Sequence, residues 1–319
     1  MKQDFVADLT PHKLVRSTFL IQNKERKITR SGSAYLDLDL KDSSGLIRAK
    51  LWDSDKHTLD FEVDDVVRVE GEVEDYQGTR QVRIQKISRC PEEEVDPLDY
   101  LPRTSRDPDQ MLSALLDRVR RMTESPLRSL LLVVLEDASL AEKIKLAPAA
   151  TSFHHAYLGG LLEHVLSLVE LGDQVADHYA SLDRDLLLTG LVLHDLGKTE
   201  ELNFRRGFRY STRGQLVGHM AIALEIIRDK MRAIPDFPPA LKDQIEHIIL
   251  SHHGHLEFGS PKEPSFPEAL VVHYLDDLDS KLESMRAQYA ADKDREGEWT
   301  SRNRALGREL LKKGTGGLT

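Results

Sequence analysis

The sequence contains a single cysteine, few aromatic residues and no long apolar run. Cys90 alone cannot build a disulfide framework or a zinc site made of several thiolates. The longest aliphatic run, Leu130 to Leu135, is far shorter than the roughly 20 apolar residues that span a membrane. The first ten residues carry Asp4 and Asp8, where a secretory signal would be basic. We therefore expect a cytoplasmic protein that has no membrane partner.

The sequence also lacks a basic net charge. It has 44 Lys and Arg against 54 Asp and Glu, a formal net charge of -10, which excludes a whole-molecule field that attracts polyanions. The first 90 residues hold sixteen of each sign, so the entire acidic excess lies on residues 91–319. With 40% hydrophobic and 31% charged residues, the composition is that of a folded globular protein. Any anionic partner must therefore meet a local patch.

The hydrophobic pattern divides the 319 residues into two folded parts. Residues 1–90 contain short alternating runs separated by turn residues, which predict closely spaced antiparallel strands in a small all-β barrel. Residues 91–108 form an acidic linker with several prolines. Residues 109–290 repeat apolar positions with helical spacing and predict an all-α bundle, followed by a tail over 291–319.

Histidine is the residue type with an uneven distribution. Ten of the thirteen histidines lie between positions 154 and 255, where even spreading would place about four. The strongest motif there is an apolar helix that ends in His194 and Asp195. Two adjacent ligands can bind one cation, and a carboxylate has a second oxygen with which to bridge another. Lys198 follows on the same helix face, where an ammonium could meet a phosphate oxygen.

Residues 150–290 resemble the HD-domain metal-dependent phosphohydrolases. The resemblance is carried by five separated segments, in the order His, His-Asp, His, His-His, Asp. The additional histidines after His-Asp resemble the variants that hold two metals. Carried over residue by residue, the resemblance implies one ion held by His164, His194, Asp195 and Asp276, and a second held by Asp195, His219, His252 and His253. Asp276, and not Asp277 or Asp279, fits the spacing of the last family motif.

The donor types fit this chemistry without the resemblance. Imidazole and carboxylate ligands suit Mn²⁺, Fe²⁺, Co²⁺, Ni²⁺ or Zn²⁺. Two such ions, roughly 3.5 to 4 Å apart, can activate a hydroxide and clamp the oxygens of a displacement at phosphorus. The catalytic candidates are Asp195, which would bridge the two ions, and Lys198, which would place a cation beside the phosphate. Asp276 could alternatively be one of several carboxylates on the surface of a helix.

Several residues near these motifs are candidates for substrate binding, each with a structural alternative. His154 and His155 precede the first ligand and could either contact the substrate or pack in the core. Arg205, Arg206 and Arg209 follow the His-Asp motif and could contact RNA phosphates or form a solvated loop. His178, His247, His255 and His273 do not fit the ligand order and are interpreted as ordinary surface or helix residues.

The N-terminal part resembles an OB-fold of the nucleic-acid-binding type. The resemblance is carried by the segment from Phe19 to Leu40 and by the turn Asp42-Ser-Ser-Gly45, which leads into a strand that ends in Trp52-Asp53. Candidate contacts to a single strand are the cations Lys24, Arg26 and Lys27 and the stacking aromatics Tyr35 and Trp52. The alternative for each aromatic is packing in the barrel core. An OB-fold alone does not establish RNA binding.

Nearly the whole chain resembles the YhaM-type 3′→5′ exoribonucleases. The resemblance is carried by the order of an OB-fold, an acidic linker and a two-metal HD domain, and by the terminal segments Glu298-Trp-Thr300 and Ala305-Leu-Gly-Arg308. This resemblance implies hydrolysis of single-stranded RNA to nucleoside 5′-monophosphates, with Mn²⁺ as the first choice of metal. It also leads us to consider single-stranded DNA as a second substrate and a homo-oligomeric state. Two alternatives remain open: a phosphohydrolase acting on small or cyclic nucleotides, and a non-catalytic nucleic-acid-binding protein.

Overall fold

The computed structural model describes residues 2–57, 59–76, 78–152, 154–204 and 206–312. The chain divides into two compact units, which are Met1–Arg103 with Phe204–Gly207, and Thr104–Asn203 with Phe208–Thr319. Among the described residues, no helix is both long enough and apolar enough to cross a membrane.

The first unit is a closed five-stranded barrel. Its strands are β1 (Leu14–Ile28), β2 (Ala34–Asp42), β3 (Gly45–Leu51), β4 (Val66–Tyr76) and β5 (Thr79–Arg89). They pair in the order β1-β2-β3-β5-β4, and β4 closes back onto β1. Only β3 and β5 pair in parallel among these strands. The predicted all-β barrel of the OB type is therefore confirmed.

Alternation along the strands explains why this segment folds as a barrel. Every second residue of β2, from Ala34 to Asp42, is buried, so one face fills the interior and the other remains accessible. Residues 91–103 pack on this unit instead of forming a free linker. The Tyr100 hydroxyl shares a hydrogen bond of 2.6 Å with Thr18 Oγ1, and burial raises the pKa of Tyr100 to about 12.

The second unit is helical, as the sequence predicts. Its helices are α1 (Pro108–Arg120), α2 (Ser125–Leu135), α3 (Ala138–Leu146), α4 (Gly160–His178), α5 (Arg184–Leu193), α6 (Lys198–Glu201), α7 (Thr212–Val217), α8 (His219–Arg232), α9 (Pro239–Ser251) and α10 (Pro267–Ala291). A short hairpin of β6 (Leu202–Asn203) and β7 (Arg209–Tyr210) follows α6. The central helix is α5, in which every residue after Arg184 is buried. Asp183 caps it by accepting a hydrogen bond from the amide of Leu186.

A close backbone contact fixes the turn that follows α5 against the start of α8. A Cβ built on Gly197 would lie 1.9 Å from the carbonyl oxygen of His219, so any side chain at this position would displace one of the two segments. The His194-Asp195 pair lies just before Gly197 in the chain. Glycine at this position therefore sets the distance between the His-Asp pair and His219.

Candidate metal centre

The predicted ligands are contributed by five different helices or helix ends. His164 lies on α4, His194 and Asp195 follow α5, His219 is the first residue of α8, His252 follows α9, and Asp276 lies on α10. His164, His194, Asp195 and His252 are almost completely buried, and His219, His253 and Asp276 are partly exposed. Segments that are far apart in the sequence thus bring histidines and carboxylates together inside the helical unit.

The first predicted set forms one tight cluster. His164 Nε2 lies 3.2 Å from Asp276 Oδ1, and His194 Nε2 lies 3.3 Å from Asp195 Oδ2 and 3.8 Å from Asp276 Oδ1. One ligand atom from each of these four residues lies within 4.8 Å of the others. Two imidazoles and two carboxylates at this separation can surround a single divalent ion.

The other oxygen of Asp195 faces a second group of imidazoles. Asp195 Oδ1 lies 3.7 Å from His219 Nε2 and 3.7 Å from His252 Nε2. Ligand atoms of His219, His252 and His253 lie within 4.8 Å of one another. The two oxygens of one carboxylate therefore face two different sets of donors, the geometry expected of a bridging ligand.

Four buried polar atoms at this centre indicate that the residues fit metal ions. The Nε2 atoms of His194, His219 and His252 and the Oδ1 atom of Asp195 have no hydrogen-bond partner among the described residues. Leaving a buried polar group without a partner costs about 1–3 kcal/mol per group. Four such atoms close together, all capable of metal ligation, fit divalent cations at this position.

Backbone carbonyls orient two of these imidazoles. His194 Nδ1 donates to the carbonyl of Leu191 at 3.0 Å, and His252 Nδ1 donates to the carbonyl of Ile249 at 2.8 Å. A carbonyl can only accept, so the proton of each neutral ring sits on Nδ1 and the lone pair on Nε2. Burial holds the pKa of His252 well below its usual value, which keeps that ring neutral and able to ligate.

Carboxylates orient two further ligands. Glu201 was not singled out from the sequence, and Asp279 was considered there only as an alternative ligand to Asp276. Asp279 Oδ2 accepts from His164 Nδ1 at 2.7 Å, and Glu201 Oε1 lies 3.0 Å from His219 Nδ1. Glu201 also accepts from the backbone amide of His219 at 2.9 Å. A carboxylate behind a ligating histidine fixes the ring and raises its basicity. Asp279 had a sequence signal, because it lies three residues after Asp276 and so on the same helix face.

Asp279 accepts two more hydrogen bonds besides the one from His164. Ser167 Oγ donates to its Oδ1 at 2.7 Å, and His155 Nε2 lies 3.0 Å from its Oδ2. Burial by itself would raise the pKa of Asp279, but the hydrogen bonds from the two histidines and Ser167 hold it well below the usual range. The bonds to Asp276 and Asp279 likewise outweigh burial and raise the pKa of His164 to about 9.

The predicted catalytic pair forms a buried ion pair. Lys198 Nζ lies 2.6 Å from Asp195 Oδ2. Burial would raise the pKa of Asp195, but Lys198 and His194 outweigh it and hold that pKa well below its usual value. Burial would lower the pKa of Lys198, and Asp195 reverses that effect. Both groups are therefore charged at neutral pH.

The two histidines before α4 lie beside the centre. His155 is buried between Asp279 and the hydroxyl of Tyr157, which is 2.8 Å from its Nδ1. His154 is partly exposed, and burial together with the positive charges of Lys198 and His164 lowers its pKa to about 4. His155 thus has its polar contacts inside the protein, and His154 is a neutral ring near the metal ligands.

Two of the three candidate arginines after α6, Arg206 and Arg209, lie within the described residues. Arg206 belongs to the barrel unit, where its guanidinium lies 2.7 Å from Asp65 and 3.2 Å from Glu92. Arg209 is exposed on β7, and Arg205 lies outside the described residues. Their proposed contact with phosphate remains a prediction.

The candidate residues of the barrel fall into two groups. The rings of Tyr35 and Trp52 are adjacent, with centroids 4.8 Å apart, and the ammonium of Lys50 lies 5.6 Å from the Trp52 ring and 5.2 Å from the Tyr76 ring. The side chain of Trp52 is 40% exposed, so this aromatic surface does not belong to the core. The predicted cations are all paired with acceptors: Lys24 with Glu62 at 3.0 Å, Arg26 with Asp55 at 2.7 Å and Lys27 with Asp37 at 2.6 Å.

Family models match both units. The HD domain matches residues 161–281, and the OB-fold nucleic acid binding domain matches residues 20–89. A third model, TraI_2, described as a helicase, matches residues 102–183. The second OB-fold domain of replication protein A from Methanococcus maripaludis covers 28% of this chain and 94% of its own, at 21% identity and a TM-score of 0.23.

Two curated relatives extend over nearly the whole chain. The 3'-5' exoribonuclease YhaM of Bacillus subtilis is 34% identical over 293 residues, which are 90% of each protein. The 3'-5' exoribonuclease YhaM of Bacillus licheniformis is 35% identical over 290 residues, again 90% of each. Because both relatives are at least 34% identical over 90% of each protein, the chain belongs to the YhaM family of 3'-5' exoribonucleases.

Proposed function

We propose that this protein is a metal-dependent 3′→5′ exoribonuclease that hydrolyses single-stranded RNA to nucleoside 5′-monophosphates. The observation that carries the proposal is the Asp195 carboxylate, whose Oδ2 faces His194 and whose Oδ1 faces His219 and His252 at 3.7 Å. Two divalent ions bound there, with Mn²⁺ as first choice, would lower the pKa of water and neutralise charge on a phosphodiester.

The protein's own residues have distinct tasks in this proposal. His164, His194 and Asp276 complete one ion site with Asp195, and His219, His252 and His253 complete the other. Asp279 and Glu201 orient the rings that they touch. Lys198 would shift its ammonium from Asp195 toward a non-bridging phosphate oxygen as charge develops there.

The barrel is proposed to hold the strand upstream of the scissile bond. The rings of Tyr35 and Trp52 offer adjacent faces, and Lys50 adds a cation next to them. Stacking on aromatic rings is tolerant of sequence because every base has a π face, as an exonuclease requires. The same chemistry admits single-stranded DNA as a second substrate.

Two further features are proposed with this function. On α10, every fourth residue from 270 to 282 is an exposed apolar side chain, and together they form an apolar surface suited to self-association: Leu270, Tyr274, Leu278 and Leu282. We propose that the protein is a homo-oligomer and that it acts in the cytoplasm, where RNA substrates are found. Both relatives are 3'-5' exoribonucleases, which favours RNA over small or cyclic nucleotides and favours hydrolysis over binding without catalysis.

Substitution of the bridging carboxylate tests the proposal. Asp195→Asn removes the negative charge that faces both ion sites, so we expect loss of Mn²⁺ binding and of RNA hydrolysis. Asp243→Asn, an exposed aspartate on α9, is the matched control and should behave like the wild type. Metal content after dialysis and release of mononucleotides from labelled RNA are measured on both variants. Retention of metal and activity by Asp195→Asn would contradict the two-ion arrangement.

A further inference from the structure

The residues after α10 form an ordered loop whose scaffold is buried. Asn303 is 1% exposed, and its Nδ2 donates to the Ser284 carbonyl at 3.2 Å and lies 3.1 Å from Ser284 Oγ. Thr300 is fully buried, and its backbone amide donates to the Leu310 carbonyl at 2.9 Å. We refer to residues 299–308 as the C-terminal loop. Its backbone is held against α10 by internal polar contacts.

The side chains that the scaffold does not use point outward. Trp299 is 51% exposed, and Arg302, Arg304 and Arg308 are exposed as well. None of these three arginines forms an ion pair within the part of the chain that the structure describes. Residues 299–308 contain no Asp or Glu. Three guanidinium groups that form no ion pair among the described residues therefore share one short loop with an accessible indole, and Glu298 and Glu309 flank this loop in the sequence.

Several other arginines of the helical unit are paired with a carboxylate. Arg228 is held by Glu246 through two hydrogen bonds, and Arg213 by Glu200 at 2.9 Å. The helical unit lies in the acidic part of the chain. A loop that carries several unpaired arginines is therefore opposite in charge to the unit as a whole. Guanidinium groups match phosphate oxygens in geometry and in charge, and an exposed indole can stack on a base.

The position of the loop along α10 relates it to the metal centre. Asp276 and Ser284 are eight residues apart on this helix, which corresponds to about 12 Å at about 1.5 Å per residue. The contact from Gln288 to Ser301 lies four residues further on. At about 3.4 Å per stacked nucleotide, 12 Å corresponds to about four nucleotides. By this axial measure a mononucleotide at the metal centre is too short to reach the loop, whereas a strand of about four or more nucleotides is long enough.

We propose that the C-terminal loop is an RNA-binding surface of the helical unit, in which Arg302, Arg304 and Arg308 bind backbone phosphates and Trp299 stacks on a base. The inference rests on the proposed exoribonuclease function and specifies how that site holds a polymer. The exposed side chains contribute little to the scaffold, because Thr300, Asn303 and Leu310 carry the internal contacts. Substituting only the exposed residues separates RNA binding from folding.

The test uses the full-length triple variant Arg302→Gln, Arg304→Gln and Arg308→Gln. Binding of a fluorescent 30-nucleotide RNA is measured by anisotropy at several salt concentrations, and Mn²⁺-dependent hydrolysis is measured on that RNA and on bis(p-nitrophenyl) phosphate. Each phosphate contact to a single strand contributes about 0.7 to the slope of log affinity against log salt concentration. Loss of three contacts should therefore reduce the magnitude of this slope by about 2. We expect at least tenfold weaker RNA binding and unchanged hydrolysis of the small diester.

Arg232→Gln is the matched control. Arg232 is an exposed arginine at the end of α8, about 20 Å along that helix from His219, which is a predicted ligand, and it is paired with Asp229. Its removal should leave RNA affinity and the salt dependence as in the wild type. An equal loss in both variants would indicate a general charge effect and overturn the proposal.

The remaining outcomes distinguish this inference from the proposed function. If the wild type degrades RNA and the triple variant binds RNA with wild-type affinity and salt dependence, the loop proposal is wrong and the exoribonuclease proposal stands. If the triple variant loses activity on RNA and on the small diester equally, the loop supports the fold and the proposal is again wrong. If the wild type hydrolyses only the small diester, the exoribonuclease proposal fails, and the anisotropy measurement still decides whether the loop binds RNA.

Discussion

Substitution of Asp279 is the most specific perturbation of the metal centre, because Asp279 contacts the predicted ligand His164 and is not itself a predicted ligand. Its carboxylate accepts hydrogen bonds from His164 Nδ1 at 2.7 Å and from Ser167 Oγ at 2.7 Å, and it lies 3.0 Å from His155 Nε2. Asp279→Asn keeps the size of the side chain but replaces one acceptor oxygen by a donor and removes the charge. The ring of His164 then loses the partner that fixes its orientation.

The magnitude follows from the kind of contact that is lost. Replacing a carboxylate behind a ligating histidine typically weakens metal binding by about 10- to 100-fold, which equals about 1.4–2.7 kcal/mol. We therefore expect the Kd for Mn²⁺ to rise within that range, measured by competition with a metal-binding dye. Activity on RNA should return at saturating Mn²⁺, because the ligands themselves remain.

Asp277→Asn on the same helix is the control. The side chain of Asp277 is 40% exposed and lies 2.6 Å from Lys281 Nζ, and a surface pair of this kind contributes about 0.3–0.5 kcal/mol. Its Mn²⁺ affinity should match that of the wild type. If Asp279→Asn, shown to be folded by circular dichroism, binds Mn²⁺ as tightly as Asp277→Asn, the proposed role of Asp279 in orienting His164 is refuted.

Three other substitutions test separate parts of the structure. Trp52→Ala should raise the KM for RNA by about 5- to 160-fold, from about 1–3 kcal/mol per stacked base. Tyr179→Ala, which removes an exposed tyrosine of the helical unit, should leave the KM unchanged. Gly197→Ala should lower the free energy of unfolding in urea by at least about 1–3 kcal/mol, because its Cβ would lie 1.9 Å from a backbone oxygen of α8. Gly207→Ala, where no atom lies within 3.4 Å of the added Cβ, should leave the free energy of unfolding nearly unchanged. Because the pKa of His154 is lowered to about 4, the unfolded chain binds more protons between about pH 6.5 and 4, so metal-free protein should lose stability as the pH falls through that range. His154→Gln should flatten this dependence by up to about 1.4 kcal/mol per pH unit, and equal slopes would refute the assignment.

The fold and the His194-Asp195 motif could be recognised because their signals are local in the sequence, whereas the other proposed ligands came from the family resemblance. Alternation along β2 reports a strand with one buried face, and the apolar run that ends in His194-Asp195 reports a buried helix with ligands at its end. The predicted order of a barrel followed by a helical HD domain is confirmed by both family models. Short-range patterns of this kind do not depend on knowing the tertiary contacts.

The residues that orient the ligands were harder to predict, because they depend on distant contacts. Glu201 reaches His219 across an intervening hairpin, and no spacing rule relates residues that are 18 positions apart. Arg206 was considered for phosphate binding, but its guanidinium pairs with Asp65, which is 141 positions earlier in the chain. For such residues the pattern of residue types predicts a charge but not its partner.

The central claim is tested most directly by the products formed from end-labelled RNA in the presence of Mn²⁺. With a 3′ label, the account predicts that labelled nucleoside 5′-monophosphate is the first product. With a 5′ label, it predicts progressively shortened strands before any labelled mononucleotide appears, and removal of Mn²⁺ by a chelator should stop both. Internal fragments from either label, release of the 5′ label first, or degradation that persists without a divalent ion would contradict the account.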